Sequence, residues 1–308
     1  MAVSMSSRTF GALSNGDSIR GWTLQRAGGL QLEVIAYGGT ITRLPDPDRE
    51  GKMGDVVLGF NTLDFCVADR SCFGAIVGRV AGRIAGVRFN LEGKTYQLAR
   101  NDGANHIHGG TLGFNKRTWT DVPVEKAGGE AALLLTYRSP DGEEAGSIAD
   151  HALQIHADEF VPVDEDARLL GRVEPVAARD NDFRQPRNLG ATIPLLFKNH
   201  GDLYLTPKAA GGDARSRLMP TVRLLHPGGG RALEVSTTEA HLQLYTGCFL
   251  DGSSKGKSGA CYQRYAGVCL ECEGHSDGAS TPGMGDIILR PGSPWHEITE
   301  YAFVCTAG

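Results

Sequence analysis

Apolar residues in this chain recur at every second position, in short runs punctuated by glycine, and that period commits most of it to strands. The clearest case lies between Gly78 and Gly110, where Val87, Phe89 and Leu91 alternate with Arg88 and Asn90, the signature of a strand with one buried face. Glu92-Gly93-Lys94 reads as a turn, and Tyr96 and Leu98 resume the alternation, so the middle of the segment is predicted to be a β-hairpin. Gly78, Gly82 and Gly86 precede it and Gly109-Gly110 closes it; such glycines permit positive φ and close backbone approach. Arg79, Arg83, His106 and His108 are thereby set near turns at sheet ends, where polar groups face a ligand without being buried unpaired.

The same pattern runs through the rest of the chain. Leu30 to Tyr37 reads as a strand ending at Gly38-Gly39, and Asp46-Pro47-Asp48 with Glu50-Gly51-Lys52 marks a further hairpin. Thr62 to Asp69 is the one helix expected before the glycine-rich segment, capped by Thr62 or Asn61. Strands are predicted over Ala131 to Tyr137, within Asp150 to Phe160, and from Thr221 onward through Ala232 to Ser236, Leu242 to Tyr245, Val268 to Glu273, Ile287 to Leu289 and Ile298 to Val304. Ser139-Pro140-Asp141-Gly142 is a tight turn, and residues 187 to 220 show no clear period around Leu203-Tyr204-Leu205. Glycine, at 42 of 308 residues, is about twice the usual ~7%, as expected where turns are frequent. No linker interrupts the pattern, so one domain is expected over residues 1–308, with residues 1–8 as a disordered tail.

Charge and cysteine content narrow the partners. A net charge of -5 with no basic stripe argues against a nucleic-acid or anionic-membrane partner. No apolar run approaches the roughly 18 residues of a membrane span, and the N-terminus has no signal-like core. Seven cysteines, an odd number without regular spacing, cannot form a complete disulfide framework within one chain. A cytoplasmic protein with reduced thiols is expected.

Several residues bear chemistry. Cys269 and Cys272 have CxxC spacing, but on a strand they point to opposite faces and cannot share a metal without a turn between them. The same alternation sets Cys269, Glu271 and Glu273 on one face, and an acidic residue in a mostly apolar strand needs a partner, a ligand or solvent. His106 and His108, at i and i+2, would share a strand face and suit a cupin-like metal site, or one is structural and the other binds a ligand. Trp119 suits either a sugar face or the core, and Arg83 either a ligand or a surface acid.

Read together, GRVAGRIAG, NHIHGG, FNKRTW, SPDGEE, DHALQIHADEFVPVDE, DFRQP, GRALEVSTTE, QLYTGCFLDG and CLECE stand in the order seen in the aldose 1-epimerases, the galactose mutarotases, and the chain resembles that family over most of its length. The resemblance implies an all-β fold, a galactose-mutarotase-like β-supersandwich, without metal or organic cofactor. It implies interconversion of the α and β anomers of hexoses such as galactose and glucose, with a small aldohexose as partner and a monomer or weak dimer as the working form. A base takes the C1 hydroxyl proton and an acid protonates the ring oxygen, so that the ring opens, C1 turns and the ring closes. By motif, the base falls on Glu271, and sugar-binding roles fall on Arg83, His108, Gln243 and, in Asn199-His200-Gly201-Asp202, on Asp202.

The departures from the family pattern carry as much weight. Gly82 stands where the family has an asparagine before the binding arginine, and Glu273 and His275 alter the run after Glu271. Glu143-Glu144 leads almost directly into Asp150-His151, where the family has several strands ending in the motif of its general-acid histidine. At about ten residues per strand and turn, on the order of four strands are missing, so a shortened sandwich and an impaired enzyme are expected. His108, His200 and His275 are the candidates to replace the acid. Two other readings stay open: a non-catalytic carbohydrate-binding or regulatory protein of the same fold, and a cupin-like metalloenzyme using His106 and His108.

Overall fold

The computed structural model describes residues 2–26, 29–91, 93–125, 129–138, 152–166, 168–208, 217–276, 278 and 287–306. Hairpins build its N-terminal part. β1 (Val3–Ala12), β2 (Ser18–Arg26), β3 (Gln31–Ile35) and β4 (Ile41–Arg43) form one antiparallel sheet in chain order. The expected disordered tail over residues 1–8 is corrected here, because Val3 to Arg8 are the first part of β1 and pair with β2. Met5 lies opposite Leu24 and Ser7 opposite Trp22, so a serine-rich segment with little apolar pull of its own is held by the ladder.

β5 (Pro45–Pro47) and β6 (Met53–Asp55) are the predicted hairpin around Asp48, whose carboxylate accepts from the backbone N–H groups of Glu50 and Lys52 at 3.1 and 2.9 Å. The early helix is α1 (Leu63–Ala68), with Thr62 at its N-cap. Its Leu63 and Cys66 join Ile19, Ile35, Phe60 and Phe73, and also Leu250 and Tyr262 from far along the chain, in one buried cluster. Beyond it come β7 (Arg83–Ile84), β8 (Arg88–Leu91), β9 (Lys94–Gln97) and β10 (His106–Ile107). β8 and β9 form the predicted hairpin, with Phe89 stacked on Tyr96 at 5.0 Å, while β7 pairs with β10 across it. β11 (Thr120–Glu125) pairs with β12 (Ala131–Thr136). The turn at Ser139-Pro140-Asp141-Gly142, and Asp150-His151 with it, lie outside the described residues.

The second half supplies β13 (Ala152–Ile155), β14 (Glu159–Val161), β15 (Glu174–Pro175), β16 (Arg187–Asn188), β17 (Leu203–Leu205), β18 (Met219–Leu225), β19 (Arg231–Thr237), β20 (His241–Tyr245), β21 (Cys269–Glu273) and β22 (Thr299–Cys305). They make two antiparallel five-stranded sheets, β16-β13-β18-β19-β22 and β15-β14-β17-β20-β21. Leu153, Ile155, Val222, Leu224 and Val235 of the first sheet meet Phe160, Tyr204, Leu242 and Leu244 of the second in one buried cluster. Two sheets, each apolar on one face, bury those faces against each other in this way. Leu242 is fully buried there, so Leu242→Ala is expected to cost about 2–5 kcal/mol, read as a lower urea midpoint.

The class is all-β, as expected: among the described residues the α-helices are α1 and the four-residue α2 (Leu189–Thr192). α2 lies in the stretch that showed no period, capped by the Asn188 side chain, which accepts from the Ala191 N–H at 3.0 Å. Ile287 to Leu289, predicted as a strand, is not part of any strand among the described residues, and Leu289 is exposed.

Candidate active site

A short ladder builds one wall of the main cavity. β7 and β10 pair Ile84 with His106 and Arg83 with Ile107, and the Asn101 side chain extends the pairing by binding both backbone polar groups of Ile107 at 2.8 Å. The chain turns sharply at each end, with φ of +74° at Gly82 and 54° at His108. These two residues lock together: the His108 N–H donates to the Gly82 carbonyl at 3.1 Å, and the Gly82 N–H donates to His108 Nδ1 at 3.1 Å. Because Nδ1 accepts, the ring proton of neutral His108 sits on Nε2. Burial, with Arg83, His106 and His200 nearby, holds His108 well below the usual histidine range, so it offers a neutral N–H donor.

His106 faces elsewhere, with its Nδ1 2.8 Å from the Ala99 carbonyl. The expectation that His106 and His108 share a strand face fails because β10 ends at Ile107 and His108 takes a left-handed conformation. The paired-histidine metal reading thereby loses its geometry. Trp119 is also away from the cavity; it packs against Phe114 and Tyr137 at 5.6 and 5.5 Å and donates to the Phe114 carbonyl.

The opposing wall comes from β20 and β21, in which Gln243 stands directly across from Glu271. Arg83, His108, Gln243 and Glu271 all line one cavity of about 580 Å³, so four of the five expected site residues converge. Arg83 is held by Asp102, whose Oδ2 accepts from Nε at 2.6 Å. Burial pushes the Glu271 carboxyl up to about 7, against the opposite pulls of Cys269 and Arg83. A carboxyl poised near neutrality suits a group that must take and return a proton.

Asp202 is the exception and is corrected. It is buried away from the cavity, where its carboxylate accepts from Asn181 Nδ2 at 2.9 Å, and burial pushes it up to about 6. The cause is Gly201, at φ +108°, where a Cβ would stand 2.6 Å from the Leu244 carbonyl oxygen. That turn breaks strand alternation and leaves His200, not Asp202, on the cavity side. The His200 ring sits 4.8 Å from that of Tyr245 and 5.7 Å from that of Phe249. Its Nδ1 is 3.0 Å from the Gly201 carbonyl, which can only accept, so Nε2 carries the lone pair. Burial holds His200 down to about 4. His275, the third candidate for the acid, is fully buried and does not line the cavity.

The sequence reading missed Asp102, Tyr245 and Phe249. Asp102 lies 19 residues from Arg83, and only the return of the chain from β9 into β10 brings them together. Tyr245 follows Gln243 by two on β20, so alternation puts it on the same face once Gln243 is placed.

The Aldose 1-epimerase family model matches residues 20–146 and 142–302. Galactose mutarotase of Bos taurus is 35% identical over 346 residues, covering 98% of this chain and 99% of that protein. Aldose 1-epimerase of Escherichia coli (strain K12) is 27% identical over 343 residues, covering 94% and 96%. Among solved structures, a GalM/aldose epimerase homologue from C. elegans superposes with a TM-score of 0.76 at 26% identity, over 91% of this chain and 97% of that one. Galactose 1-epimerase from Lactobacillus acidophilus NCFM gives 0.76 at 20% identity, over 99% and 100%, a likeness of fold. A chain of 308 residues cannot fill 346 aligned positions, so the bovine protein has residues with no counterpart here. The two stretches matched by the family model meet at residues 142–146, where the missing strands were expected.

Proposed function

The chain belongs to the aldose 1-epimerase family, and from that premise we propose that it interconverts the α and β anomers of an aldohexose such as galactose or glucose, by acid/base ring opening in the cavity. The observation that carries this is Glu271: a carboxyl raised to about 7 by burial, beside Arg83, in a cavity shared with Gln243 and the neutral N–H of His108. A volume of about 580 Å³ is within the range of small-molecule pockets. Glu271 acts as the base toward the C1 hydroxyl. Arg83, His108 and Gln243 bind sugar hydroxyls, and the Arg83–Asp102 pair fixes the guanidinium for that task. None of the seven cysteines is in a disulfide, and we read the setting as cytoplasmic. No described helix is long and apolar enough to cross a membrane. We read residues 1–308 as one working unit, a monomer or weak dimer.

Polarimetry of freshly dissolved α-galactose, with and without the protein, tests the proposal. Faster relaxation to the anomeric equilibrium is expected; an unchanged rate overturns the reading. Arg83 also sets the pH at which the base is available, since its charge pulls the Glu271 pKa down. Arg83→Met is expected to move the ascending, acid-side limb of the pH–rate profile to higher pH and to raise KM. The profile of kcat/KM checks the first effect and saturation kinetics the second.

On the resemblance, the family's acid histidine falls in the segment that this sequence lacks. Ring opening therefore needs its acid from elsewhere in the cavity.

A further inference from the structure

Glu273 is a carboxyl that its surroundings leave uncompensated. It lies two positions beyond Glu271 on β21, so the pleat turns both side chains to one face, and both line the cavity. It is only 6% exposed, and its Oε2 has no hydrogen-bond partner among the described residues. A Cβ built on Gly82 would stand 3.4 Å from Glu273 Oε1 and 2.9 Å from Ser276 Cβ and Oγ. A side chain at residue 82 would therefore press on Ser276 and reach the edge of the Glu273 carboxyl.

Among the described residues, the charges that act on Glu273 are both negative, from Glu271 and Glu239, while Lys208 acts on His241 across the strand pair. Glu271 precedes it on the strand, His241 stands directly across on β20, Glu239 lies just ahead of β20, and His275 follows two residues on. Burial lowers the pKa of both histidines, to about 4 for His241, so they are neutral near pH 7. Arg83, which acts on Glu271, is already engaged by Asp102. Burial and the two neighbouring carboxylates raise Glu273 well above the ordinary carboxylic range, as expected when like charges share a dry site. The cavity histidines hold no comparable proton, since His108 and His200 are both kept neutral.

We infer that Glu273 is the general acid for ring opening in this chain, an inference that rests on the aldose 1-epimerase reading of the same cavity. The Glu271 carboxylate takes the proton from O1, and the C1–O5 bond breaks with its electron pair passing to O5. O5 receives the Glu273 proton as the C1=O1 carbonyl forms. After rotation about C1–C2 the two transfers run in reverse, so each carboxyl recovers its starting state and nothing is consumed.

Glu273→Gln keeps the shape and a neutral hydrogen-bonding group but leaves no acidic proton to give. Its kcat is expected to fall about 10²–10⁴-fold with KM within a few-fold. The high-pH descending limb of the wild-type profile, set by loss of the Glu273 proton, is expected to vanish. Glu273→Asp, which retains a carboxyl, should keep that limb at a reduced rate; a merely structural role predicts the opposite ranking, with Gln the better tolerated. Wild-type protein that accelerates mutarotation with no descending limb, or a Gln variant at the wild-type rate with an unchanged profile, overturns the inference alone. Wild-type protein that gives no acceleration overturns the epimerase reading and the inference together.

Discussion

Glu271→Gln is expected to reduce the rate at which fresh α-galactose relaxes by about 10²–10⁴-fold, about 3–5 kcal/mol of barrier, while sugar affinity stays within a few-fold. The amide keeps the volume and hydrogen-bonding reach of the carboxyl, so the cavity between β7–β10 and β20–β21 retains its shape, and only the capacity to take the O1 proton is lost. Loss in kcat without a comparable change in binding marks an interaction made in the transition state. Polarimetric kcat with titration of galactose binding separates the two, and unchanged turnover would show that Glu271 is not the base. The variant's profile should also lose its acid-side limb, because that limb reports deprotonation of a carboxyl pushed up to about 7. A substitution that merely loosened the site would lower the rate without removing a limb.

How far the sequence could be read depended on whether a residue's neighbours were local. The hairpin of β8 and β9, the helix after Thr62 and the strands from Met219 onward follow from alternation and turn residues within each segment. Arg83, His108, Gln243 and Glu271 were found because each sits in a motif of its own, and the structure brings them to one cavity. Asp202 does not reach that cavity because the turn at Gly201 breaks the alternation that would set His200 and Asp202 on one face. Alternation cannot foresee such a turn. The N-terminal strand escaped for the opposite reason: Val3 to Arg8 carry little apolar signal and are ordered by pairing with β2. The isolation of Glu273 is not legible either, since it depends on Gly82, far away in sequence, and on Glu239 and His241, which only the pairing of β20 with β21 sets beside it.

Stability should fall as pH rises from about 6.5 to 8, and Glu271→Gln should remove part of that fall. Glu239 and Glu271 are pushed up to about 7 and Glu273 higher, from an ordinary value of 4.5. The folded chain therefore keeps protons that the unfolded chain has released. Their contribution is fully present below about pH 4.5 and is lost as pH climbs through the folded values. The buried histidines work the other way. His200 and His241 lie at about 4, with His106, His108 and His275 also lowered from 6.5, so the unfolded chain binds more protons and stability rises between about pH 4 and 6.5. Above 6.5 the histidines are largely neutral in both states and the carboxyls set the slope. The thiols of Cys66 and Cys272, pushed up from 9.0 to about 11, add in the same direction only nearer pH 9. At about 1.4 kcal/mol per pKa unit, the Glu271 shift corresponds to about 3 kcal/mol. Urea unfolding at pH 4 and pH 8 should show the Gln variant gaining most of that over wild type at pH 8 and little at pH 4. Equal gains at both pH values would mean that the effect comes from packing and not from the buried charge. In that case Glu271 would not be the poised carboxyl on which the catalytic reading depends.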